Sequence, residues 1–218
     1  MFVDEKAIEY FTSDAILVKI NAEEDSLVAQ EYHIMGYPTT VLVDKDGNEV
    51  DRLVGYAPTE DFIGILDDYT RGIGTLAHYL DSAKSVEDRS LYFQIADKYK
   101  YRGESESAEE WYMKVVAASE TPDSLAGQSR IALADMFRRS EEYDKALEAF
   151  ASIEEDFDGT PFAADAAIYQ GIVYRAMADT AMALTAFEEV AKNYPDSDYS
   201  EYALRQIGLL TGEGESAE

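Results

Sequence analysis

The chain has no cysteine, two histidines, one tryptophan and five prolines in 218 residues, and 18 lysines and arginines against 45 aspartates and glutamates. Without a thiol there is no disulfide, no cysteine nucleophile and no thiolate metal site. With only His33 and His78, a multi-histidine metal centre is not expected. No apolar run reaches the eighteen or so residues of a membrane span. The opening Met1-Phe2-Val3-Asp4-Glu5 lacks the basic, then apolar, pattern of an export signal. A cytoplasmic location is the expectation for the chain as written, and export if the true start lies upstream.

What is present is acid. The formal charge is −27 and is spread along the chain, sixteen acids against five bases in residues 1–72 and twenty-nine against thirteen beyond. Such a field repels nucleic acid and anionic lipid, so neither is an expected partner. With 46% apolar residues the chain can still bury a core.

From residue 88 to 195 one spacing recurs three times: Tyr99–Ala108–Tyr112, Phe137–Ala146–Phe150 and Tyr174–Ala183–Phe187. The gaps are nine residues, then four. Ile95-Ala96, Leu133-Ala134 and Gln170-Gly171 precede the first aromatic of each copy. Small residues let helices cross closely, and aromatics one turn away fill the groove beside them. This resembles the tetratricopeptide repeat, and Gly171, Tyr174, Ala183, Phe187 and Pro195 carry the fullest copy. The repeats are expected at about 89–121, 124–158 and 161–195, as helix pairs 89–102/104–118, 124–139/142–156 and 161–177/180–193. A capping helix over 198–210 follows, and a disordered tail over 212–218.

Residues 4–12 read as a short helix, Ala15–Ile20 as a buried strand, 23–32 as a second helix and 41–44 as a strand. Asp46-Gly47 marks a hairpin turn into a strand over 49–54, and Pro58 opens a helix through Tyr69. With Gly36-Tyr37-Pro38-Thr39 leading into the apolar strand, this order resembles the C-terminal two-thirds of a thioredoxin fold. The resemblance implies that Tyr37–Pro38 is cis, and that Met35, Gly36, Tyr37, Pro38 and Thr39 form a recognition loop. The family's first strand and Cys-x-x-Cys are not in this sequence, so its dithiol chemistry is not carried over. The expected class is an α/β truncated thioredoxin-like domain (1–72), a connecting helix (73–88) and an all-α solenoid of three helical hairpins plus a cap (89–211).

Without that central strand, either 15–20 pairs directly with 39–43, or an element from another molecule fills the gap, which leaves room for a homodimer. Alternatively, the reading frame starts upstream and encodes the dithiol. No catalytic, cofactor or metal residue is assigned. Asp44 to Glu49 resembles half of a calcium loop, and the hairpin is the preferred reading. His33 and His78 are read as structural.

The repeat resemblance further implies a groove lined by Phe93, Asp97, Lys100 and Tyr101, then Ile131, Asp135, Arg138 and Arg139, then Ile168, Ile172 and Arg175. Such a lining suits an extended or helical peptide. The arginines are expected either to dock carboxylates or to pair with Glu141, Glu142 or Asp179. The family's clamp for chaperone tails has lysine where this chain has Phe93, Ile131 and Ile168, and asparagine where it has Asp97, Asp135 and Ile172; the clamp is read as absent. The implied role is a non-enzymatic adaptor, holdase-like, for protein or peptide partners. The rivals are a clipped thiol–disulfide oxidoreductase and an assembly scaffold.

Overall fold

The structure is a computed structural model and describes residues 5–13, 15–22, 24–195 and 197–212. The proposed tail beyond Gly212 and the first four residues lie outside that description. Two compact units divide the chain, Met1–Trp111 and Tyr112–Glu218.

In the first unit, α1 (Glu5–Ser13) and α2 (Ser26–Glu31) precede β1 (Thr39–Val43) and β2 (Glu49–Val54), and α3 (Thr59–Thr70) follows. The two strands form one antiparallel sheet with Thr39 opposite Val54 and Leu42 opposite Asp51, and a bulge between Leu42 and Val43. Gly47 takes φ +86° in the turn, a left-handed conformation that glycine adopts without a Cβ clash. The Asp44 carboxylate accepts from the backbone of Asp46 and Asn48, at 2.9 Å each, and from the Asn48 amide. That hydrogen bonding, the Asn48 side chain first, holds Asp44 below its ordinary pKa. These hydrogen bonds belong to the turn, as the hairpin reading requires.

One expectation fails in this unit. Residues 15–20 form no strand, and among the described residues the sheet has two strands. Ile16 is 93% exposed and Val18 70%. A strand is stable only when its backbone groups find a neighbour, and this segment finds none. Direct pairing of 15–20 with 39–43 within the chain is therefore excluded. The second helix is also shorter than expected, at six residues.

The unit continues through α4 (Leu76–Ser82) and α5 (Arg89–Tyr101). Thr75 caps α4 by accepting from the His78 amide at 3.2 Å. Asp88 caps α5 through Ser90 and Leu91. His78 completes the turn into α4, its Nδ1 accepting from Gly74 N at 2.9 Å. After these, α6 (Ser105–Ala117) runs across the division between the units.

The second unit is all helix: α7 (Ser124–Arg139), α8 (Tyr143–Asp156), α9 (Pro161–Ala176), α10 (Thr180–Asn193) and α11 (Asp198–Thr211). Consecutive helices pack as antiparallel neighbours, and α7 lies against α9, which lies against α11. The recurrent small and aromatic residues make the core. Ala146 and Phe150 are buried in one cluster, Ala183 and Phe187 in the next. Gly171 explains its own smallness, because a Cβ there would lie 2.6 Å from the Phe187 ring. Gly127 stands in the same relation to Phe162.

Candidate functional site

The loop before β1 is built from both sides. At the end of α2, Ile34 N donates to Ala29 O at 2.8 Å, and His33 takes φ 50°. The Tyr37–Pro38 peptide is cis. Thr39 Oγ1 donates to Gly36 O at 2.7 Å, and Pro38 O accepts from Gly55 N at 2.8 Å. These bonds hold the turn while leaving Met35 and Tyr37 exposed, Tyr37 by 70%. The result is an aromatic and a thioether presented to solvent on a tethered loop, suited to apolar contact with another chain.

A second feature was not anticipated. β2 buries Asp51 and Arg52, at 0% and 7% exposure, where an apolar strand face would be expected. Asp51 accepts from Leu76 N at 2.6 Å, Arg52 N at 2.7 Å and Lys98 Nζ at 2.9 Å. Arg52 donates to Glu49 and to the carbonyls of Tyr32 and Tyr101. Arg102 pairs with Glu49 at 3.4 Å and lies 3.6 Å from Asp51. Burial lowers the Lys98 pKa against the opposing pull of Asp51. Burial, with the Asp51 charge second, raises that of Tyr69, whose hydroxyl donates to Arg52 O at 3.2 Å.

Each of these charges has an ion-pair partner, as buried ions require, and Arg102 Nε makes no hydrogen bond among the described residues. Glu31, Tyr32, His33, Gly47, Glu49, Arg52, Arg102 and Glu104 line a shallow cleft of about 290 Å³ beside it. With acids and bases interleaved, the cluster is a structural tie between β2, α4 and α5. The alternation Glu49-Val50-Asp51-Arg52 offered no signal for this, because the partner Lys98 lies 47 residues away.

The groove residues divide the same way. In the first unit Asp97 pairs with Lys100 at 2.8 Å, Lys100 lies over the Tyr101 ring at 4.5 Å, and Phe93 is half-buried on the same helix. In the second unit Arg138 and Arg139 both bind Asp135, at 2.6 Å each, rather than Glu141, Glu142 or Asp179. Spacing decides this, since Asp135 sits one helical turn before both. Arg175 donates to Gln206 on α11.

Ile168 does not line a groove. It is buried in the cluster of Ala183, Phe187, Val190 and Ala203, because its register on α9 points at α10 and α11. Ile131 and Ile172 are half-buried against the two cores. Half-buried Arg138 and exposed Arg139 share Asp135 on α7, and Asp165 on α9 adds a second acid near them at Tyr169. Beside them Tyr169 stacks on Phe150 at 5.1 Å. Its hydroxyl pKa is raised by burial first and Asp135 second.

Comparison with known proteins agrees with this geometry. Residues 2–70 match the family described as thioredoxin-like domain, and residues 165–197 match the tetratricopeptide repeat. Similar curated proteins include the thioredoxins of Staphylococcus aureus strains Mu50, MW2 and USA300, each 35% identical over 65 residues, 30% of this chain and 61% of the relative. The chain thus spans about three-fifths of the length of the curated relatives it matches. It joins a thioredoxin-like segment over residues 2–70 to a helical region that carries a tetratricopeptide repeat at 165–197.

Proposed function

We propose that the protein is an interaction adaptor of holdase type, which holds exposed segments of other polypeptides on its helical region. The observation that carries this reading is the face of α7 and α9 where half-buried Arg138 and exposed Arg139 share Asp135 at 2.6 Å beside Tyr169. A planar guanidinium donates to a carboxylate in paired fashion, and a tyrosine flank gives apolar contact area. Peptides with acidic and aromatic residues fit that combination best. The Tyr37–Pro38 loop, with Tyr37 and Met35 exposed, is a second contact point for the same clients. The chain has no cysteine, so a dithiol reaction is not part of this role.

A peptide array overlaid with the full chain tests the reading. Binding enriched in acidic–aromatic peptides, lost on joint charge reversal of Arg138 and Arg139 with the melting temperature nearly kept, supports it. Unchanged binding removes the face from the proposal. Suppression of aggregation of a chemically denatured test protein separates a holdase from a scaffold with one stoichiometric partner.

A thioredoxin-related role is the second reading, favoured by the cis Tyr37–Pro38 peptide and the match over residues 2–70. Sequencing the native transcript for an in-frame Cys-x-x-Cys ahead of Met1 discriminates the two.

A further inference from the structure

Among the described residues of the first unit, neither the outer edge of β1 nor the strand-like segment 15–20 has a strand partner. In β1, Pro38 O takes Gly55 N, and Thr40 and Leu42 lie opposite Leu53 and Asp51. In an antiparallel ladder alternate residues bond the neighbour, so Thr40 and Leu42 face β2. The amides and carbonyls of Thr39 and Val41 then face the opposite edge. Among the described residues no strand pairs there.

The segment Ala15-Ile-Leu-Val-Lys-Ile20 is rich in β-branched residues and makes no strand pairing. Ile16, Val18 and Ile20 would share one face of it, and all three are exposed. An unpaired edge and an apolar segment of high β propensity are the two halves of an edge-to-edge association.

We propose that two copies of this chain associate by laying residues 15–20 of each on the β1 edge of the other. Charge argues for a second copy in parallel alignment. Lys19 is the only lysine or arginine between Lys6 and Lys45, and residues 15–20 contain no acid. β1 runs directly into Asp44 and Asp46. Setting Ala15 beside Thr39 brings Lys19 beside Val43 and Asp44, opposite charges at one end of an otherwise apolar pair. Each copy gives one segment and receives one, so the contact is self-complementary and closes as a dimer. The charge of −27 per copy opposes association, and salt relieves that repulsion.

Sedimentation equilibrium of the full chain tests the pairing, in moderate and in high salt. A mass of twice 24.3 kDa, more populated in high salt, is expected. Val41→Pro removes a donor only on the outer edge and is expected to give the monomer, with the Asp51 and Leu53 amides still protected from exchange. The absence of cysteine allows a second measurement that does not rest on this variant. A nitroxide on Val18→Cys in one copy, mixed with isotope-labelled unmodified chain, is expected to broaden the Thr39 and Val41 amides of the labelled copy. A 24.3 kDa species under all conditions overturns the proposal. So does a dimer that survives Val41→Pro, or one whose broadening falls elsewhere.

Discussion

The Asp51 carboxylate, with no exposed surface, holds Lys98 Nζ at 2.9 Å and Leu76 N at 2.6 Å. One side chain thereby joins β2 to the start of α4 and to α5. Asp51→Ala strands a part-buried ammonium and an unpaired amide, and is expected to cost about 3–5 kcal/mol. Lys98→Met is milder, because Asp51 keeps its two backbone donors. Urea unfolding, read on the single tryptophan, Trp111, which packs on Tyr92 at 5.4 Å, checks the order. Equal losses would refute that order.

Phe187 is fully buried and meets the space that Gly171 leaves open. Phe187→Ala is expected to lose ~3–5 kcal/mol. Gly171→Ala places a methyl 2.6 Å from that ring and is expected to lose about 1–3 kcal/mol. In a double-mutant cycle the Gly171→Ala cost falls once Phe187 is Leu. A change near zero at Phe187 would mean that the repeat register is wrong.

Gly103 follows α5 with φ +76°, and a Cβ there would lie 2.9 Å from the His33 ring. Gly103→Ala thus carries two penalties, backbone strain of roughly 1–2 kcal/mol and a clash with the imidazole. His33→Ala in the same chain removes the imidazole part of the clash, keeps the His33 Cβ contact at 3.0 Å and leaves the strain. Thermal melts of both variants separate the two, and full recovery in the double variant would contradict the strained backbone.

Tyr69, Tyr79, Tyr169 and Tyr194 all have pKa values raised by burial first. Above the ordinary tyrosine value of 10.0, the unfolded chain releases protons that the folded chain keeps. Stability is therefore full below that pH and falls as pH rises past it. Lys98, with its pKa lowered by burial from 10.5, acts in the opposite direction below that value. Urea midpoints that decline only above about pH 10 are the expected result. A midpoint that holds level across that range would refute it.

Local information carried most of the helical region. The Ala–aromatic spacing, the caps at Thr75, Asp88 and Asp123 and the Pro161 start of α9 act within a turn or two. Neighbours along the chain therefore decide them. The Asp46-Gly47 hairpin is local in the same sense. Arg138 and Arg139 were legible as a cluster but not in their partner, since Asp135, Glu141 and Glu142 all lie within reach along the chain.

The sequence by itself determined the absence of a thiol, the acidic charge and the helical hairpins, and its resemblance to thioredoxins implied the cis Tyr37–Pro38 peptide. Composition is fixed before folding, and helix bonds close within four residues. Tertiary structure alone decided the rest. It left residues 15–20 without a strand partner, turned Ile168 inward and buried Asp51 against Lys98. Strand pairing, side-chain burial and the satisfaction of a buried charge each depend on atoms far away along the chain, and periodicity carries no record of them.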